Sequence, residues 1–152
     1  KQRGFLTTAL SASDLLDLAV EENFSWLGLG AIGSPALNLA LSDYYAWNSG
    51  FPDVDFTATG GGLFTILSQK WFGLNMIAPF EIWSDYRRTG IVYGQAAGYL
   101  PGPTLSVDPG RTSTTIPVRL FYPQNEYNYN AANVSAEGTI NVFTTRVFWD
   151  LN

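Results

Sequence analysis

The chain has 152 residues, a net charge of −5 and a pI of about 4.4; 46% of its residues are hydrophobic, 15% aromatic and only 14% charged. This acidity argues against a nucleic-acid partner, because phosphate neutralisation requires clustered Lys and Arg. The sequence contains no Cys and no His, which excludes disulfides, thiolate metal sites and the Ser-His-Asp activation of a nucleophile. Enzyme chemistry would therefore depend on a carboxylate pair, Lys or Tyr.

The low charge and high aromatic content predict that another surface covers part of this chain. That surface would be a partner protein, a ligand or the remainder of the chain's own polypeptide. No stretch reaches the roughly 18 apolar residues of a membrane helix, and the first residue is Lys1 rather than Met. We therefore expect a processed or truncated product.

The first predicted elements are two helices that form a hairpin over residues 1–47. The segment 11–27 opens with Ser11 or Ser13 as a candidate N-cap and has apolar residues at spacings of three and four. GLGAIGSP then breaks the pattern, and Pro35 suits the first turn of a second helix over 35–47. A short glycine-bearing connection predicts that the two helices pack antiparallel.

Residues 48–62 are predicted to form a loop, since Gly, Pro, Asn and Asp are concentrated there and 60–62 is a triple glycine. Helical spacing returns over 63–76, and a shorter helix is predicted from Pro79 to a stop at Gly90. Residues 63–90 therefore form a second helical part of the chain.

The sequence changes character after Gly90, where Gly and Pro recur and no sustained helical period remains. We expect residues 91–152 to be an irregular C-terminal segment, in which TINVFTTRVFWD (139–150) forms either a short strand or an extended tail. The predicted fold is mostly α, with a tetratricopeptide-like helical hairpin, further helices and at most a short β-hairpin.

The most charged stretch is EIWSDYRRTG (81–90), which could be an active site or a structural network. Glu81 and Asp85 are one helical turn apart and point the same way, whereas a glycosidase needs two carboxyls on opposite sides of a sugar. Arg88 lies within ion-pairing reach of both acids, so we prefer a structural charge network and predict no catalytic residue. A second polar stretch, IPVRLFYPQNEYNYNAANV (116–134), fits binding or internal hydrogen bonding. The predicted network comprises Glu81, Asp85, Arg87, Arg88, Arg119 and Glu126.

Aromatic side chains on loops and helix ends are candidates for stacking on sugar rings. Partner-protein contact and internal packing are alternatives for the same residues. By contrast, the helix-spaced Trp26, Phe64, Trp71 and Trp83 are predicted to be core. Asp53 and Asp55 are too few for a calcium loop, so neither a metal site nor a cofactor is predicted. The candidate ligand-binding residues are Trp47, Tyr93, Tyr99, Tyr127 and Tyr129.

Four separated motifs resemble one family: QKW (69–71), EIWSDYRRTG (81–90), IPVRLFYPQNEYNYNAANV (116–134) and VFWD (147–150). In this order they are similar to the C-terminal portion of SusD/RagB-type outer-membrane nutrient-binding lipoproteins of Bacteroidetes-like bacteria. Residues 1–47 resemble the last tetratricopeptide-like helix pair of that fold. The family carries an acylated cysteine at its mature N-terminus, and this chain has none.

The resemblance implies a lipid-anchored protein on the extracellular face of the outer membrane, of which residues 1–152 would be a single C-terminal fragment. Such proteins close a TonB-dependent, SusC-like transporter barrel and capture a glycan or peptide for import, without catalysis. One rival hypothesis is a structural module that binds only protein, here the transporter. Another is a glycoside hydrolase, for which the sequence shows no facing carboxylates.

Overall fold

The computed structural model describes residues 9–75, 77–90, 107–109, 113 and 115–150. Within these ranges the fold is mostly α, as predicted, with no strand. Among the described residues, no helix is long and apolar enough to cross a membrane. The helices are Ala12–Trp26 (α1), Pro35–Trp47 (α2), Leu63–Leu74 (α3), Pro79–Thr89 (α4), Gln124–Tyr129 (α5) and Ala131–Ala136 (α6).

Helices α1 and α2 begin at serine caps. Ser11 Oγ accepts a hydrogen bond from Asp14 N at 3.0 Å, while Asp14 Oδ2 accepts one from Ser11 N at 2.6 Å, which completes a capping box. Ser34 Oγ accepts from Leu37 N at 3.3 Å, and Pro35 occupies the first turn of α2. These local signals explain why both helices start where the sequence predicts.

The two helices pack on each other as the predicted hairpin. The ring centroids of Phe24 and Tyr44 lie 5.0 Å apart in an edge-to-face contact, and Leu37 is fully buried. Trp26 at the end of α1 is 70% exposed, so the prediction that it belongs to the core is wrong. The tetratricopeptide-like character of the hairpin remains a prediction.

Side chains from two successive turns of α3 hold the loop 48–62 by hydrogen bonds. Thr65 Oγ1 donates to Pro52 O at 2.7 Å, Ser68 Oγ donates to Asp53 Oδ1 at 2.9 Å, and Gln69 Nε2 donates to Asp53 O at 2.7 Å. Thr65, Ser68 and Asp53 are all buried. Because these polar groups satisfy one another away from water, α3 holds the loop in a defined position.

Helix α3 also packs on α4 and on α1. Leu67 and Ile82 form the buried centre of the α3–α4 contact, and Phe64, Trp71 and Leu74 pack around them. Helix α4 ends at Gly90, which adopts the left-handed conformation at φ 67° and donates its N–H to Tyr86 O. This is the stop that the sequence predicts.

Two segments of the C-terminal region lie against α4. Trp83 Nε1 donates to Pro117 O at 2.6 Å, and Val118 N donates to Val142 O at 2.8 Å. The described part of 139–150 contains turns rather than a strand. Residues 124–136, within the segment expected to be irregular, form the two short helices α5 and α6, because each needs only a turn or two of local hydrogen bonds.

Candidate functional site

A cleft of about 310 Å³ lies where α1, α2 and the loop 48–62 meet. We call it the acidic cleft, because its only charged lining residues are Asp17 and Asp55. Its volume lies at the lower end of the roughly 300–1,000 Å³ typical of small-molecule sites. The lining residues are Ser13, Asp17, Tyr45, Ser49, Val54, Asp55, Phe56 and Thr57.

One wall of the acidic cleft is a carboxylate–phenol pair between the two helices of the hairpin. Tyr45 Oη donates a hydrogen bond to Asp17 Oδ1 at 3.0 Å. Burial, followed by the hydrogen bond to Asp17, raises the pKa of Tyr45 above its ordinary value of 10.0, so the phenol stays protonated at neutral pH. The side chain of Asp17 makes no other hydrogen bond with the described residues, which leaves its second oxygen open to a ligand.

The wall that the loop 48–62 contributes is organised by Asp55. Its Oδ2 accepts from Gly50 N at 2.9 Å, and its Oδ1 accepts from Thr57 N at 2.9 Å and from Thr57 Oγ1 at 2.7 Å. The backbone N–H of Gly50, then the side chain and backbone of Thr57, hold the pKa of Asp55 below its usual range. Asp55 is therefore a carboxylate whose charge is stabilised by neutral donors.

The backbone of the loop approaches itself closely beneath this wall. A Cβ added at Gly61 would lie 2.7 Å from the carbonyl oxygens of both Asp55 and Phe56. Only glycine fits there without a shift of the backbone that carries two cleft residues. Gly61, the middle residue of the triple glycine that predicts a loop, thus allows the loop to fold back on its own backbone.

The acidic cleft combines two side-chain rings, three aliphatic hydroxyls, the Tyr45 phenol and two carboxylates. Ring faces suit the apolar faces of sugar rings, and carboxylates and hydroxyls suit the hydroxyl donors at a sugar's edges. No Lys or Arg is among the described residues that line the cleft, so an anionic ligand would find no cation from them. The chemistry therefore fits a neutral, hydroxyl-rich molecule.

The three predicted aromatic residues that the structure describes do not line the acidic cleft. Trp47, at the end of α2, is 83% exposed, and it does not line the acidic cleft. Tyr127 and Tyr129 lie on α5, whose helix–helix packing in the described structure is with α6 only. Helix packing thus does not bring these two tyrosines to Trp47. Tyr93 and Tyr99 lie outside the described residues.

The predicted charge network is centred on Asp85, which is 5% exposed. Asp85 Oδ1 lies 2.6 Å from the Arg88 guanidinium, and Asp85 Oδ2 lies 2.6 Å from Lys70 Nζ. Lys70, which the sequence-based network omitted, brings α3 into the pairing. Glu81 is exposed and forms no ion pair within the described part of the chain.

The other predicted network residues lie in separate contacts. The Arg87 guanidinium carbon sits 4.4 Å from the ring centroids of both Trp83 and Trp149. Arg119 is buried and lies 5.2 Å from the Tyr122 ring centroid. Glu126 accepts a hydrogen bond from Asn130 Nδ2 at 3.0 Å.

A second cavity, of about 560 Å³, lies between α1 and α3. Its lining is mostly aliphatic, with Asn23, Gln69 and Lys70 as the polar exceptions. It has no aromatic ring and no carboxylate in its lining, so it suits an apolar occupant rather than a sugar. Residues that line it include Leu15, Leu16, Ala19, Val20, Ile66 and Leu74.

Sequence reasoning did not find the acidic cleft, although part of its signal is visible. Ser13 and Asp17 are four residues apart and so share a face of α1. Asp53 and Asp55, two residues apart in FPDVDFT, have different surroundings because the loop turns there: Asp53 is buried against Ser68 and Asp55 lines the cleft. Among the described residues, no cluster of three or more acidic side chains could hold a metal ion.

No protein-family model, curated protein or solved structure matches the chain. The family resemblance of the motifs therefore stays a prediction.

Proposed function

We propose that this chain binds a glycan without catalysis, and that the acidic cleft is the binding site. We further propose that it belongs to a SusD/RagB-like nutrient-binding protein on the extracellular face of an outer membrane, which delivers its ligand to a TonB-dependent transporter. The resemblance of four motifs in order supports this wider assignment. A peptide is the alternative ligand.

The observation that carries the proposal is the composition of the acidic cleft. Tyr45 and Phe56 provide rings, and Asp17 offers a carboxylate oxygen that makes no hydrogen bond with the described residues. Few well-placed polar groups beside apolar surface are typical of a small-ligand site. The hydrogen bonds from α3 to the loop position these groups before a ligand arrives, which lowers the entropic cost of binding.

Two features of the carboxylates support binding rather than hydrolysis. A glycosidase needs a carboxylic acid that is protonated at working pH and can protonate the leaving group. The pKa of Asp55 is lowered, not raised, and both of its oxygens already accept hydrogen bonds. Asp85 is buried and ion-paired away from the cleft.

The test is calorimetric titration of the full chain with neutral hexasaccharides of glucose, galactose, mannose and xylose. We expect at least one to bind, and Ser49→Trp to weaken that binding at least tenfold, because the indole fills the cleft. Ser42→Trp is the matched control, since Ser42 is exposed on α2 and does not line the cleft. Unchanged affinity in Ser49→Trp would remove the acidic cleft from the proposal.

A module that binds only protein is the second candidate. Exposed apolar side chains on the hairpin favour it, since large exposed apolar patches mark interaction surfaces. Further sequence of the same polypeptide or the transporter barrel would cover them. Co-purification with the barrel, together with no binding to any hexasaccharide, would favour this candidate. The residues in question include Trp26, Leu27, Ile32 and Leu39.

A further inference from the structure

Charge is distributed unevenly along the chain. Residues 4–69 contain no Lys or Arg, and they carry all the acids of the hairpin and loop. The remaining basic residues are Lys1 and Arg3 before this stretch and Lys70 onwards after it. The acids within the stretch are Asp14, Asp17, Glu21, Glu22, Asp43, Asp53 and Asp55.

The described basic residues after this stretch are engaged elsewhere. Lys70 and Arg88 pair with Asp85, and Arg146 pairs with Asp150 at 2.7 Å. Arg87 lies between two tryptophan rings and Arg119 is buried. None of these five lines the acidic cleft. Within the described part of the chain, the donors to the two carboxylates of the cleft are therefore all neutral.

We infer that the acidic cleft selects saccharides by charge: it accepts neutral and amino-bearing saccharides and rejects those that carry carboxylates or sulfates. This inference rests on the proposed function, because it names the class of glycan that the same site takes.

The physical reason is that a bound ligand's charges lie close to the carboxylates of Asp17 and Asp55, whose negative charge is not neutralised by a cation among the described lining residues. A ligand inside a cleft of about 310 Å³ touches both walls, so its charges lie within the Debye length of about 8 Å at physiological salt from both carboxylates. An anionic sugar would give up hydration and gain only like-charge repulsion. An ammonium group would instead meet Asp17 Oδ2, which makes no hydrogen bond with the described residues.

The hydrogen bonds of the two acids strengthen the discrimination. Asp55 stays ionised because backbone and hydroxyl donors stabilise its charge. Tyr45 donates to Asp17 and cannot turn a second proton towards an anionic ligand. Thr57 Oγ1 likewise donates its proton to Asp55. The cleft therefore offers carboxylate acceptors from both walls, and among the described lining residues Ser13 and Ser49 are the remaining side-chain donors.

The test uses cellohexaose, maltohexaose and β-1,4-galactohexaose, each in its neutral, 6-carboxylated and 6-amino form, titrated into the full chain at pH 6.5 and 20 mM salt. For any backbone that binds, we expect the carboxylated form to bind at least tenfold more weakly than the neutral form. The amino form should bind as tightly or more tightly. At 500 mM salt the differences should shrink severalfold, since screening weakens each of them.

Asp17→Asn tests whether Asp17 contributes to the charge selection, because asparagine keeps an oxygen that accepts from the Tyr45 hydroxyl and removes the negative charge. It should reduce the penalty on the carboxylated form about threefold. Asp43→Asn removes the same charge from an exposed position on α2 outside the cleft, and it should leave the penalty unchanged.

Equal or tighter binding of a carboxylated form would overturn the charge selection and leave the proposed function standing. Equal effects of the two Asn variants would overturn the assignment to the cleft. Absence of binding by all nine saccharides and by the neutral hexasaccharides of mannose and xylose would overturn the proposed function itself, and the selection with it.

Discussion

Acidic side chains have different partners in the two halves of the described structure. In the second half, from Leu63 onwards, Asp85 and Asp150 are buried and paired with cations. In the first half, up to Gly62, Asp17 and Asp55 are held by a phenol, amide groups and a threonine hydroxyl. We call these the paired half and the acidic half.

Under the proposed function, this difference distinguishes charge that stabilises the fold from charge that faces a ligand. A cation neutralises a carboxylate and fixes one element against another, as Lys70 fixes α3 against α4 through Asp85. Neutral donors orient a carboxylate but leave its charge in place. Substitutions in the paired half should therefore change stability, and substitutions in the acidic half should change binding.

The largest expected effect on stability belongs to Asp85. Asp85→Ala removes a buried acceptor from Lys70 and Arg88, and should lower the free energy of unfolding by about 3 kcal/mol. For a chain of this length the melting temperature would fall by roughly 10 °C. Differential scanning calorimetry measures both.

Arg88→Ala and Glu81→Ala are the graded controls for that substitution. Arg88 is an exposed partner and Lys70 remains in its absence, so its loss should cost about 1 kcal/mol or less. Glu81 forms no ion pair with the described residues and its loss should be near neutral. Equal losses of unfolding free energy in all three variants would contradict the description of Asp85 as the centre of the charge network.

Gly61→Ala should disturb the acidic half selectively. The added Cβ would collide with two backbone carbonyls that belong to cleft residues, at a cost of about 2 kcal/mol. Saccharide binding should weaken with it. Gly73→Ala is the matched control, because Gly73 lies inside α3 and its added Cβ would lie 3.4 Å from Asn23 Nδ2 of α1. Alanine also favours a helix over glycine by up to about 1 kcal/mol. Chemical denaturation and calorimetric titration compare the two.

Trp149→Ala should loosen the C-terminal segment from α4. Trp149 stacks on Arg87 opposite Trp83, and the loss of a half-exposed cation–π contact and its buried area should cost roughly 1–2 kcal/mol. Limited proteolysis should then cut between 138 and 150 more rapidly. Phe148 is 94% exposed, so Phe148→Ala should be cut as slowly as the parent. Equally rapid cleavage of both variants would show that Trp149 does not hold the C-terminal segment against α4.

The smallest expected effect is at alkaline pH. The pKa of Tyr45 is raised in the folded chain, so its contribution is fully present below pH 10 and is lost as the pH rises towards the folded-state pKa. Because the ring is half-buried, the loss should be only roughly 0.5 kcal/mol by pH 11. Tyr45→Phe should flatten the decline in stability above pH 10. If the free energy of unfolding of Tyr45→Phe declined as steeply above pH 10 as that of the parent, the decline could not be assigned to Tyr45.

The helical framework could be predicted from the sequence because its signals are local. Ser11, Pro35 and Gly90 act on the turn in which they stand. The α5 and α6 helices were missed since each is only six residues long, too short to show a period. Trp26 shows the reverse case, in which helical spacing suggested burial that the packing does not provide.

The acidic cleft could not be predicted because it depends on contacts between distant residues. Tyr45 reaches Asp17 across 28 positions, and Asp53 reaches Ser68 across 15. The loop's path between them depends on Gly61, whose close backbone neighbours have no signature in the sequence beyond the glycine itself. The Lys70–Asp85 pair was missed for the same reason.

The most direct test of the central claim is nuclear magnetic resonance mapping of the bound saccharide. Titration of the isotope-labelled chain with a neutral hexasaccharide that binds should shift the backbone amides of the acidic half around Asp17, Tyr45 and residues 54–57. The amides around Lys70, Asp85 and Arg88 should stay unchanged. Shifts confined to Tyr127 and Tyr129 on α5, or to the paired half, would contradict the account.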